Sequence, residues 1–178
     1  MACRGAHAGM PTDVRQGPEI WIRGPVAVPQ APPPPAPPAG VTPRRYSWVG
    51  THGGAGVTTL ALVYGGHDCG RDWPGPGAPR SVLLVGRTHA AGLDAVLRAL
   101  DAFRYGPVPP GLDLDAVVLV ADAPGRLPRP LARRVKAIEE VIDVYRVPWV
   151  HDWRLGETAG GPPRETEALA HLTGIGRR

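Results

Sequence analysis

The residues best suited to chemistry form one run, Thr51-His52-Gly53-Gly54-Ala55-Gly56-Val57-Thr58-Thr59. Glycines at this spacing let backbone N–H groups curl around an anion, and two hydroxyls follow where a helix would begin. The pattern that cradles nucleotide phosphates, G-x-x-x-x-G-K-[ST], adds a lysine to offset phosphate charge and a hydroxyl to bind Mg²⁺. Here Val57 stands at the lysine position. The expected cradle is therefore main chain alone, over Gly53, Gly54, Ala55, Gly56, Val57, Thr58 and Thr59. Thr58 remains a candidate Mg²⁺ ligand, and Asp122, at the end of a later apolar run, is a second one acting through water. The competing reading of the same residues is a strand-to-helix turn that binds nothing.

Such a cradle works only between a strand and the helix it feeds, where the helix N-terminus adds its positive end. Ser47-Trp48-Val49-Gly50 predicts the strand, and Thr58 to Tyr64 predicts the helix, ended by Gly65-Gly66. Residues 65–80 read as a Gly/Pro-rich insertion around Trp73. Ser81-Val82-Leu83-Leu84-Val85 is a continuous apolar run, as a strand buried on both faces should be. Thr88 is the expected N-cap of a second helix, with Leu93, Val96, Leu97 and Leu100 on one face. Ala116-Val117-Val118-Leu119-Val120 predicts a third long strand. Leu131, Val135, Ile138 and Ile142 mark a third helix, and Val144 to Val150 a final strand, with Pro148 suited to its end. Strands alternating with helices at this spacing predict an α/β fold, a three-layer sandwich around a mostly parallel sheet.

Around that framework the expected organisation is three-part. Residues 1–43 read as a disordered Pro-rich tail, because Ala31 to Pro38 can only be extended and offers almost no donors. Its one apolar patch, Ile20-Trp21-Ile22, is a candidate strand or partner contact. Residues 44–156 form the expected domain, and 157–178 a C-terminal tail with a short helix near Glu165 to Leu172.

Several side chains could stand in for the missing charge. Arg87 and Arg126 each follow a strand, at the carboxyl edge of the sheet where ligands of parallel sheets bind; plain surface arginine is the alternative for both. His52 and His89 fall at the same edge. Trp149 and Trp153 bracket His151-Asp152, as core or as a partner surface. Cys3 and Cys69 make no disulfide framework, and the adjacent His67-Asp68-Cys69 has poor spacing for a metal. No G-x-S-x-G nucleophile signature occurs.

Composition narrows the classes. Hydrophobic residues make up 43% of the 178, enough for a globular part, while 24 glycines and 23 prolines require much loop. The net charge of +4 is almost wholly arginine, scattered as short pairs such as Arg44-Arg45, Arg133-Arg134 and Arg177-Arg178. Such pairs read first as solvated surface, and a nucleic-acid face, the alternative, would need them clustered. No run approaches the roughly 18 apolar residues of a membrane span, and the chain reads as soluble and cytoplasmic.

The loop resembles the deviant Walker A motif of the MinD/ParA-like ATPases, x-K-G-G-x-G-K-T-[ST], at Gly53, Gly54, Gly56, Thr58 and Thr59. The signature lysine becomes His52 and the phosphate-binding lysine Val57. The family's V-L-L-I-D-x-D block resembles Val82-Leu83-Leu84-Val85-Gly86-Arg87-Thr88, with both acidic positions lost, to Gly86 and Thr88. Leu114 to Pro124 is similar to its third block, an apolar strand with an acidic residue near the end. The chain is also similar to an uncharacterised actinobacterial P-loop-like family, through Ala121–Pro128 and Trp153–Glu157. The resemblance implies a P-loop NTPase-like fold and ATP or GTP with Mg²⁺ as candidate cofactors. Loss of one transition-state charge contact costs about 3–4 kcal/mol, so binding without turnover is the first expectation. A protein partner would then be served through the Pro-rich arm and the Trp149–Trp153 segment. The alternatives are a slow NTPase with a substitute cation, and a DNA-associated accessory protein.

Overall fold

The structure, a computed structural model, describes residues 46–175. Within them run strand β1 (Ser47–Gly50), helix α1 (Val57–Tyr64), strand β2 (His67–Asp68), strand β3 (Ser81–Arg87) and helix α2 (Ala90–Tyr105). Strand β4 (Asp113–Val120), helix α3 (Arg129–Glu139), strand β5 (Val144–Val147) and helix α4 (His151–Arg154) follow, and helix α5 (Glu167–Thr173) comes after a 3₁₀ turn at Arg164–Thr166. The expectations for the Pro-rich tract, Ile20–Ile22, Cys3, Arg44-Arg45 and Arg177-Arg178 concern residues outside the described range. No helix among the described residues is long and apolar enough to cross a membrane.

The five strands form one all-parallel sheet in the order β2-β1-β3-β4-β5, so the chain is α/β. Val82, Leu83, Leu84 and Val85 are all fully buried, which is why β3 reads as an unbroken apolar run. Leu83 and Val85 pack with Trp48 and Leu60 on the face covered by α1 and α5. Val82 and Leu84 pack with Leu93, Val96, Val135 and Ile138 on the face covered by α2 and α3.

Sheet order also locates the natural ligand crevice. From β1 the chain moves outward to β2, then crosses back to β3 on the other side, so the winding reverses between β1 and β3. With right-handed crossovers, that reversal puts α1 and α2 on opposite faces. In open parallel sheets ligands bind outside the carboxyl ends of the strands at this reversal. Those ends are the 51–56 loop after β1 and Arg87 at the end of β3.

Some local expectations need correction. The 65–80 insertion contains β2, paired in register with Ser47 and Trp48; two residues are too few to carry a readable alternation. Helix α2 is capped by His89, not Thr88: His89 is extended, and its Nδ1 accepts from Gly92 N at 3.0 Å. Strand β5 stops at Val147 instead of Val150, where Pro148 offers no donor to continue the ladder.

The C-terminal helix packs on the core. Leu169 is 1% exposed and joins the cluster of Trp48, Leu60 and Tyr64. The Tyr64 hydroxyl donates to Thr166 Oγ1, whose own hydroxyl donates to Pro163 O at 2.7 Å. Burial raises the Tyr64 phenol above its ordinary 10.0, against the opposing pull of the Thr166 bond. As pH rises the unfolded chain therefore loses that proton first, so the contribution is intact below about pH 10 and drains away as pH climbs toward the folded-state value. Tyr64→Phe is expected to remove this part of the alkaline loss of stability, and to cost about 1 kcal/mol at neutral pH. Urea titrations from pH 8 to 11 on both proteins check the slope.

Candidate anion site at the β1–α1 loop

The loop after β1 is held by Thr51, whose N–H and Oγ1 both donate to Val85 O of the neighbouring strand, at 2.9 and 3.0 Å. Gly54 and Gly56 have φ of +73° and +103°, in the left-handed region that side chains avoid. Gly56 is the N-cap of α1 and supplies no capping side chain. The first-turn amides of Val57, Thr58 and Thr59 consequently have no hydrogen-bond partner among the described residues. Leu60 makes the first helical bond, to Gly56 O at 3.0 Å.

Arg87 closes over this turn. Its Nε donates to Gly54 O at 2.9 Å and its Nη1 to Ala121 O at 3.4 Å, while Nη2 lies 3.7 Å from where a Gly56 Cβ would stand. The other wall of the site comes from α4, a segment whose contribution sequence reasoning missed. Arg154 stacks on the Trp149 ring with its Cζ 4.3 Å from the centroid. Gly56, Thr59, Arg87, Trp149, Trp153 and Arg154 all line a small cavity of about 40 Å³. Burial lowers the Arg87 guanidinium from its ordinary value first; the like charge of Arg154 lowers it further, and Asp122 opposes both. No carboxylate forms an ion pair with either arginine among the described residues. Two arginines thus line one cavity with Gly56 and Thr59 at the start of α1.

The histidines serve the scaffold. His52 Nε2 accepts from Arg87 N at 3.0 Å, leaving Nδ1 to donate to Gly53 O at 2.8 Å, so the ring is the neutral Nδ1–H tautomer. His89 packs edge-on against it, with ring centroids 5.2 Å apart. Together they fix the base of Arg87 relative to the loop.

The residues expected to share Mg²⁺ face different neighbours. Thr58 Oγ1 donates to Asp68 Oδ2 at 2.7 Å, and Asp68 Oδ1 accepts from Gly70 N at 2.7 Å. Asp122 is exposed beyond β4, where its N–H donates to Thr88 Oγ1 at 3.1 Å, and it lines a separate, larger cavity together with Arg126. Among the described residues no group of three or more His, Cys, Asp or Glu could hold a metal, the His67-Asp68-Cys69 run included. No spacing rule signals Asp68, because it meets Thr58 only through sheet pairing.

Two of the positions at which the sequence departs from the motif it resembles are structurally closed. Val57 is 7% exposed and belongs to the core beneath the loop, with its Cγ2 2.9 Å from where a Gly50 Cβ would stand. Restoring a lysine there sends its stem through the core, and Val57→Lys is expected to cost about 1–3 kcal/mol without creating ATP hydrolysis. Gly86 is tighter: an added Cβ would lie 2.3 Å from Val96 Cγ2 and 3.2 Å from Thr51 Oγ1. A carboxylate has no room at that strand position. Gly86→Asp is expected to destabilise by more than about 3 kcal/mol, measurable as a fall in denaturation midpoint. Compared with protein-family models, curated proteins and solved structures, the chain finds no match in any of the three.

Proposed function

We propose that the protein is a degenerate P-loop-like scaffold that binds the phosphoryl group of a small ligand at the N-terminus of α1 and does not turn it over. The observation that carries this reading is that Arg87 and Arg154 line one cavity with the start of α1, whose first amides are free, and neither arginine is ion-paired among the described residues. An anion there would satisfy the amides, relieve the repulsion between guanidinium groups and gain charge-assisted hydrogen bonds. Arg87 thus occupies the role vacated at Val57, reaching the loop from the adjacent strand. Turnover needs carboxylates to position water and metal, and the positions that would carry them are Gly86 and Thr88.

Isothermal calorimetry with inorganic phosphate, ATP and GTP, with and without Mg²⁺, tests this. The expected result is binding of phosphate that does not depend on Mg²⁺, together with ATP hydrolysis at background. Brisk hydrolysis removes the proposal, and so does the absence of any anion binding at millimolar concentration.

A further inference from the structure

A second cavity of about 480 Å³ opens beyond the carboxyl ends of β4 and β5, within the roughly 300–1,000 Å³ typical of small-molecule sites. Its lining is largely aliphatic, with Leu119, Leu127, Leu131, Val135 and Val147 prominent. Charged and polar groups, among them Asp122, Arg126 and Glu165, are exposed at its rim. No Phe, Tyr or Trp side chain lines it; its one imidazole, His89, is held by Gly92 N and packed against His52.

This cavity is not remote from the anion site. Ala121 and Pro148 line both and form a shared wall. Arg87 reaches that wall, where its Nη1 donates to Ala121 O. A ligand whose phosphate meets Arg87 and Arg154 therefore has an apolar hollow next to it, across two small side chains.

We propose that the ligand is a phosphate monoester with an aliphatic organic group, and that this group lies in the larger cavity. The inference rests on the phosphate reading above and adds the class of ligand. A buried nucleobase needs in-plane partners for its donors and acceptors, whereas the charged groups of this cavity are exposed at its rim and most of its lining is aliphatic, with no Phe, Tyr or Trp to stack on. An alkyl chain needs only area, and each methylene removed from water strengthens binding about fourfold. The cavity at Arg87 and Arg154 is small, about 40 Å³, which favours a single phosphoryl group and hence a monoester.

The test is calorimetry on the full chain with inorganic phosphate, hexyl phosphate and ATP. Hexyl phosphate is expected to bind at least about tenfold tighter than inorganic phosphate. Leu131→Trp, which fills the cavity from α3, is expected to erase that gain while phosphate itself still binds. Ala123→Trp does the same from the exposed turn and covers the case in which the α3 variant fails to fold. Equal affinity for phosphate and hexyl phosphate overturns this inference and leaves the anion site standing. A gain that survives both tryptophans also overturns it, as does tighter binding of ATP than of hexyl phosphate. If neither phosphate nor its ester binds, both readings fall together.

Discussion

Arg87→Ala is expected to weaken phosphate binding by about 10- to 100-fold, the equivalent of the 1.5–3 kcal/mol that a hydrogen bond to a charged group contributes. The side chain lies over the loop, 2.9 Å from Gly54 O and close to Gly56, and no other cation is hydrogen-bonded to the loop among the described residues. Without ligand the melting temperature should change little. The variant gives up an exposed hydrogen bond to Gly54 O and a longer one to Ala121 O, together about 1–2 kcal/mol, but it also relieves the repulsion from Arg154. The phosphate-induced rise in melting temperature, which reports ligand held by the folded state alone, should collapse. Arg87→Lys should recover only part of the affinity, because an ammonium cannot address Gly54 O and an anion with one planar fork. A thermal-shift titration across the three proteins separates these outcomes. An unchanged phosphate response in Arg87→Ala would sink the proposed site.

Leu169→Ala is expected to destabilise the fold by about 2–5 kcal/mol, the usual range for deleting a fully buried leucine. Leu169 is 1% exposed and packs in the cluster that lies under α1, the helix whose N-terminus forms the site. Leu155, 64% exposed in the preceding loop, is the control, and Leu155→Ala should stay within about 0.5 kcal/mol. A chain ending at residue 156 should lose the Leu169 contacts and the Tyr64–Thr166 bond together, and unfold at lower denaturant than either point variant. Equal stability of Leu169→Ala and the unaltered protein would show that residues 157–175 do not belong to the cooperative core.

The α/β class was legible because its evidence is local. Runs such as Val82 to Val85 and Ala116 to Val120 are apolar at successive positions, which only a strand covered on both sides tolerates. The 51–59 loop was legible for a similar reason: glycines at Gly54 and Gly56 mark left-handed backbone between two apolar runs. Strand β2, the His89 cap and the burial of Leu169 were not legible. Each depends on a neighbour distant in the chain or on a single side-chain hydrogen bond, and neither leaves a periodic trace.

The candidate site divides the same way. Reading residues in order put Val57 where the resembled motif has a lysine, and offered Arg87 and Arg126 alike as the cation that could stand in. The fold separates them: Arg87 ends the strand adjacent to the loop, while Arg126 lines the larger cavity. Arg154 carried no signal beyond its place after Trp153, and it enters only because α4 folds back over the carboxyl edge of the sheet.

By itself, then, the amino-acid order determined a parallel α/β domain with a glycine turn feeding its first helix, since backbone conformation and burial pattern are written residue by residue. Which cation faces that turn, why no carboxylate fits at Gly86, and where an apolar ligand body could lie were decided by tertiary structure. Those are distances between segments from 10 to about 100 residues apart, and only packing sets them.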